Sequence, residues 1–298
     1  RALTTMFSQI LTARVLTQSR VSLLNNLRVK SYRAQHAQQL SHINIININS
    51  TQPSCRFYSQ KAQEPFEFSS ANFQNPDIKP GLDVVNVPLV MATDESLKGF
   101  GRILHTASDA TVEDGTFEIV PWPHNGWRKL DPNTGDEAGT TEGEFVVHWE
   151  GDYFYGKNLA VATENNTYLD GFGSLPENAS TKTPCLKKGE EASIFLWMSD
   201  YHPDGAQMFF PNKQIPFVVC LGSNSAGDDV RPEQMRAFYV PAGKGVYFHP
   251  GTWHNGVYVH PAHGPTTFLT RQGKVHARIS ASWAVEFNSI LKVPLPWE

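Results

Sequence analysis

From Pro88 onward, glycine and proline cut the chain into short runs rich in β-branched and aromatic residues, and this punctuation restricts the fold more than any other feature. The runs are 117–122, 145–149, 152–155, 159–162, 192–198, 207–210, 217–221, 236–240, 246–249, 256–260, 267–271 and 278–287. Spacings of about 8 to 12 residues with turn-formers between them predict an antiparallel sandwich or barrel. Residues 94–99 and 232–236 can each hold a turn or two of helix, too little for an independent element. The expected class is mainly all-β with few short helices. At 298 residues, with 40% hydrophobic and 18% charged side chains, the chain can bury a sizeable core.

The head of the chain has a different chemistry. Residues 1–63 carry eight Lys or Arg and no acid, so the formal net charge of −4 hides a basic head and an acidic body of 17 basic and 29 acidic side chains. Residues 1–58 are Arg-, Ser-, Gln- and Asn-rich, the composition of a disordered mitochondrial-type transit peptide. Leu3, Phe7, Ile10 and Leu11 mark an apolar helical stripe, and Arg56-Phe57-Tyr58-Ser59 resembles a processing site with cleavage after Tyr58. The expected address is the mitochondrial matrix, with chloroplast or cytoplasm as the alternative. Residues 59–87 read as a linker and 88–298 as the working domain, with an insertion at about 121–143.

An acidic body argues against nucleic acid, whose phosphates require clustered Lys and Arg. No uncharged apolar run approaches the ~20 residues of a membrane-spanning helix, so no membrane partner is expected. Cys55, Cys185 and Cys220 are odd in number, far apart and without CxxC, which leaves no disulfide framework or thiolate zinc site, and Cys220 reads as core. Gly171-x-Gly173 lacks the strand–helix context of a phosphate loop and reads as a turn, so no nucleotide cofactor is expected. The acids of 131–150 read as a solvated loop. Their spacing from Asp131 to Glu142 is close to a calcium loop, but the glycine is one place early and no helices flank it.

Two turns carry the chemistry. His202 and Gln207 flank Pro203-Asp204-Gly205, and His249 and His254 flank Pro250-Gly251. If the two hairpins lie side by side, three imidazoles and an amide converge. Such a set can bind a divalent metal through neutral nitrogens and an oxygen, or supply a general base near neutral pH.

The Gly-rich turn at Gly243 and Gly245 followed by Pro250-Gly251-x-x-His254 resembles the second half of a cupin signature. Three segments in order make a stronger match: Tyr201-His202-Pro203-Asp204-Gly205-Ala206-Gln207-Met208-Phe209-Phe210-Pro211, then Met235-Arg236-Ala237-Phe238, then Gly245-Val246-Tyr247-Phe248-His249-Pro250-Gly251-Thr252-Trp253-His254. Together they resemble the ureidoglycolate lyase family, closely over about 75 residues. Two departures stand out: Asn255 replaces a second His after the Trp, and Arg271-Gln272-Gly273-Lys274-Val275-His276 replaces an acidic cluster.

The resemblance implies a cupin-type double-stranded β-helix, or jelly-roll barrel, that cleaves ureidoglycolate to glyoxylate and urea, as a homodimer acting on a small molecule. It implies His202, His254 and His249 as catalytic candidates. For the substrate it implies Gln207 on the ureido group, Arg236 or Arg271 on the carboxylate, and Tyr247 in the pocket lining. His202, Gln207 and His254 are the candidate ligands of a divalent metal such as Ni, Zn or Mn. The rival readings are a cupin-fold metabolite- or metal-binding protein without this activity, and a metal-dependent cupin dioxygenase or isomerase.

Overall fold

The run Phe217–Leu221 is apolar at all five positions and buried at all five, as a strand covered on both faces must be. In the computed structural model it is the tenth strand of an all-β body. The residues described are 78–111, 117–119, 126–131, 139–161, 167–175, 186, 189–274 and 277–297, all within the compact unit Tyr58–Glu298. Their strands are β1 Asp83–Asn86, β2 Leu89–Met91, β3 Gly101–Leu104, β4 Thr140–Glu150, β5 Tyr153–Asn158, β6 Thr167–Phe172, β7 Ala192–Leu196, β8 Met198–Tyr201, β9 Gln207–Pro211, β10 Phe217–Leu221, β11 Arg236–Val240, β12 Gly245–Phe248, β13 Thr266–Gly273, β14 Ile279–Ser282 and β15 Ser289–Leu295.

Ten of them form one mixed sheet in the order β1-β15-β7-β6-β5-β4-β13-β9-β12-β3, and β10-β11-β2 and β14-β8 form two smaller sheets. The pairings are antiparallel except β1 with β15 and β2 with β11. An aromatic chain ties the layers together. Phe145 of β4 meets Phe209 of β9 at 5.2 Å between ring centroids, Phe209 meets Phe268 of β13 at 6.4 Å, and Phe268 meets Phe217 of β10 at 5.1 Å. Each pair adds about 0.5–1.5 kcal/mol to what burial alone contributes. The mainly all-β, cupin-like class is therefore the class observed. No described helix is long and apolar enough to cross a membrane.

Several local expectations change. The expected strand 278–287 is two elements, β14 and the helix α1 Trp283–Phe287, because Ser282 Oγ accepts a hydrogen bond from the Val285 N–H and starts a helix. Gly171 lies within β6 and not in a turn: a Cβ there would stand 2.4 Å from Ile194 Cδ1, so glycine permits the close approach of β6 and β7. The acids of 140–150 lie in the eleven-residue strand β4. The fold begins before Pro88, since Asp83 to Asn86 pair with Ser289 to Lys292. Residues 1–58, the linker as far as 77, Cys55, Cys185, Trp122 and 132–138 of the insertion lie outside the described residues. Cys220 is buried in β10, as expected of a core thiol.

Candidate functional site

Register across three strands aims the first functional group. Gln207 opens β9 directly opposite Phe248 of β12 and Gln272 of β13, so the three side chains share one face of the sheet. Both glutamines are buried. Asn158 Nδ2 donates to Gln272 Oε1 at 2.9 Å, and Gln207 Nε2 donates to the same oxygen at 3.3 Å. Asn158 is itself oriented, because its Oδ1 accepts the Ala160 N–H at 3.1 Å. This relay of amides fixes Gln207 with Oε1 turned toward the imidazoles.

The two hairpins do lie side by side. Asp200 and His254 exchange both backbone hydrogen bonds at 2.7 Å, and the Gly251 N–H donates to His202 O at 3.2 Å. The His202 and His254 rings meet at 4.9 Å in an edge-on arrangement. His202 Nδ1 lies 2.7 Å from Ala277 O and His254 Nδ1 lies 2.7 Å from Thr252 O. A carbonyl can only accept, so both Nδ1 atoms carry the proton and both Nε2 atoms present lone pairs. Burial lowers the pKa of His202 to about 4, and burial together with His202 lowers that of His254 to about 3, so both rings are neutral at pH 7.

A conflict follows. His254 Nε2 stands 2.9 Å from Gln207 Oε1, and the Gln207 side chain also contacts His202. A bare nitrogen and a carbonyl oxygen at that separation are two acceptors facing each other. Turning the Gln207 amide over would set its oxygen against Gln272 Oε1 instead. Something positive belongs between these atoms, and burial opposes a proton on the imidazoles.

They open on a cavity of about 210 Å³. Asp170, Asp200, Asn255, Gly256 and Arg278 line it beside His202, Gln207 and His254, with Trp197, Met198 and Phe209 as apolar wall. Asp170 Oδ2 accepts the Gly256 N–H at 3.1 Å, and a Cβ on Gly256 would stand 2.3 Å from that oxygen, so glycine is needed for the contact. Burial, then the neighbouring Asp200, pushes the Asp170 carboxyl up to about 7. Arg278 is the one Lys or Arg among the described lining residues, held by Asp131 at 2.7 Å and Asp200 at 3.6 Å. No group of three or more His, Cys, Asp or Glu placed to hold a metal occurs among the described residues, so the donor set here is two imidazoles and an amide oxygen.

The other sequence candidates stand elsewhere, for reasons of strand parity. Phe248 faces the pocket and packs on His254 at 5.0 Å, so its neighbours Tyr247 and His249 point the other way. There Tyr247 Oη donates to Glu118 Oε2 at 2.7 Å, and His249 Nδ1 meets the same oxygen at 2.6 Å. Arg271 alternates with Gln272 and leaves the pocket face; it pairs with Glu142 and donates to Ala110 O at 2.7 Å. Arg236 opens β11 in the three-stranded sheet and caps the Glu233 and Met235 carbonyls at 2.8 Å. The expected convergence thus reduces to His202, Gln207 and His254. Sequence reading missed Arg278, Asp170 and Asp200. Arg278 sits at the start of a run read as a strand, and it could have been found as the cation closest in sequence to that strand's buried end.

The site is thus an imidazole–amide cluster beside an arginine in an all-β body of cupin-like class. Residues 159–281 match the family model described as Ureidoglycolate lyase. Curated relatives named ureidoglycolate lyase include those of Azotobacter vinelandii, 27% identical over 112 residues (38% of this chain, 66% of the relative), and Stutzerimonas stutzeri, 32% identical over 112 residues (38% and 65%). The relative from Pseudomonas aeruginosa strain PAO1 is 29% identical over 129 residues (43% and 74%). The first two matches span just under two thirds of those relatives' own lengths.

Proposed function

We propose that this chain is a lyase that splits ureidoglycolate into glyoxylate and urea. The observation that carries the reading is the convergence of two unprotonated Nε2 atoms and the Gln207 carbonyl next to Arg278, the one Lys or Arg among the described lining residues of the pocket. Arg278 takes the substrate carboxylate, the role that Arg236 and Arg271 stand too far outside the lining to fill. The carbinol proton passes to an imidazole Nε2 of the pair, the C–N electrons leave with nitrogen, and the carbinol carbon becomes the aldehyde of glyoxylate. Asp170 is placed to return a proton to the departing nitrogen, since burial and the neighbouring Asp200 push its carboxyl up to about 7. Atoms balance: one proton leaves oxygen and one reaches nitrogen.

His202 Nε2, His254 Nε2 and Gln207 Oε1 also fit a divalent cation, because a cation removes the clash of acceptors at 2.9 Å. Bound there, it would occupy both Nε2 lone pairs, and would supply Lewis-acid polarisation of a substrate oxygen in place of the imidazole base. The donor types suit Ni, Zn or Mn. Elemental analysis of the purified chain is expected to give one equivalent of divalent metal, with activity lost on chelation and restored by the ion. A metal-stripped protein of full activity would leave the acid–base reading and remove the metal.

Incubation with ureidoglycolate is expected to release glyoxylate, and Arg278→Ala to raise KM by about ten- to a hundred-fold, as loss of a charged hydrogen-bonded contact does. No glyoxylate above that of the His202→Ala protein would remove the proposed reaction. The basic, acid-free head supports delivery to the mitochondrial matrix, and the family supports a homodimer; import of a tagged full chain and its sedimentation test each.

A further inference from the structure

Arg278 is gripped from outside the pocket by a strap that the family match, which begins at residue 159, does not include. The strap is 126–131. Trp127 Nε1 donates to Asp229 Oδ1 at 3.1 Å, Arg128 binds Asp228 and Glu286, and Leu130 bridges Ile279 of β14. At its end, Asp131 holds Arg278 twice. The Asp131 N–H donates to Arg278 O at 2.8 Å, and Asp131 Oδ2 accepts from Arg278 Nε at 2.7 Å. Ser280 Oγ lies 2.7 Å from both Asp131 Oδ2 and Asp200 Oδ1, with one proton to serve them.

We propose that Asp131 is a positioning residue that sets the Arg278 guanidinium for the substrate carboxylate, so that the strap is a working part of the pocket. The inference rests on the reading that Arg278 takes that carboxylate. Distance carries the argument. Asp131 does not line the cavity and stands 2.7 Å from Nε, whereas Asp200 lines it and stands 3.6 Å away. Without Asp131, Asp200 is the nearest anion, and the guanidinium would swing onto the pocket's own carboxylate in the place the substrate needs. With it, the contacts of Arg278 with both carboxylates are made at Nε. A half-exposed arginine also has rotamer freedom to lose on binding, and an anchored one has already lost part of it.

The test uses the full chain and two probes: glyoxylate, which carries a carboxylate, and glycolamide, which does not. Asp131→Asn keeps the shape and removes the charge. It is expected to raise the calorimetric Kd of glyoxylate and the KM of ureidoglycolate about ten-fold, with glycolamide binding unchanged and kcat within about two-fold. Asp131→Glu, which keeps the charge, is expected to restore most of the glyoxylate affinity, and it carries the test if the Asn variant does not fold. Unchanged glyoxylate binding in Asp131→Asn, or equal weakening of both probes, overturns the proposal. If Arg278→Lys weakens glyoxylate while Asp131→Asn does not, the carboxylate reading stands and the positioning role falls. A wild-type chain that binds glyoxylate without turning over ureidoglycolate removes the proposed reaction, and the Kd comparison still decides the role of Asp131.

Discussion

His254→Ala is expected to lower kcat for glyoxylate release by about three orders of magnitude, the usual size of a lost acid–base or ligand imidazole. The effect is large because His254 joins every part of the cluster. Its Nδ1 proton is fixed by Thr252 O at 2.7 Å, its Nε2 meets Gln207 Oε1 at 2.9 Å, and its ring packs on His202 at 4.9 Å and on Phe248 at 5.0 Å. Removing the ring costs packing as well, so the measurement is steady-state kinetics on protein whose folding has been verified by circular dichroism. His202→Ala is expected to fall as far. Groups that act as one unit are not additive, so the double variant should be no worse than either single one within about three-fold. If the two losses multiply instead, the imidazoles act in separate steps and the shared site proposed for them is wrong.

How far the sequence disclosed this arrangement depended on the range of the interactions involved. Strands such as β10 were legible because their pattern is local, an apolar run buried at every position. The pairing of His202 with His254 was legible because two five-residue turns of similar composition suggested two adjacent hairpins. The places of His249, Tyr247 and Arg271 were not, since each lies one residue from a pocket-facing neighbour and parity is fixed only when the strand finds its partner. Arg278 and Asp170 were missed for another reason. They lie 108 positions apart, as their numbers show, and they share a pocket only after β6 and β14 have been placed on separate sheets. Asn255, noted in the sequence only as a departure from the family, lines that pocket and bonds Ser199 Oγ at 2.7 Å.

Arg128→Ala is expected to be among the most destabilising single changes outside the apolar core, by about 3 kcal/mol. The side chain is only 7% exposed. Nε donates to Asp228 O at 2.7 Å and Nη1 to Ser280 O at 3.1 Å, and the Nη pair forks onto Glu286 at 2.8 and 2.7 Å. The guanidinium also stacks at 4.5 Å from Trp127 and 5.4 Å from Trp253. Exposure decides how much each part matters. Glu286 is 31% exposed and regains water when its partner is lost, so that half of the ion pair is worth little. Asp228 is buried but keeps the Tyr201 hydroxyl at 2.5 Å and the Arg128 backbone N–H at 2.7 Å, both of which survive the change to alanine. The loss therefore comes from two carbonyls stripped of donors and from the cavity left between two indoles, not from the net charge. Arg128→Lys tests this division, since it restores a cation near Glu286 without the planar fork or the stack, and it should recover less than half of the loss. For a body of this size, 3 kcal/mol corresponds to a fall of about 6–12 °C in the thermal midpoint. A fall below about 2 °C for Arg128→Ala would show that the side chain does little to hold the strap, and full recovery by Arg128→Lys would show that it acts through its charge alone.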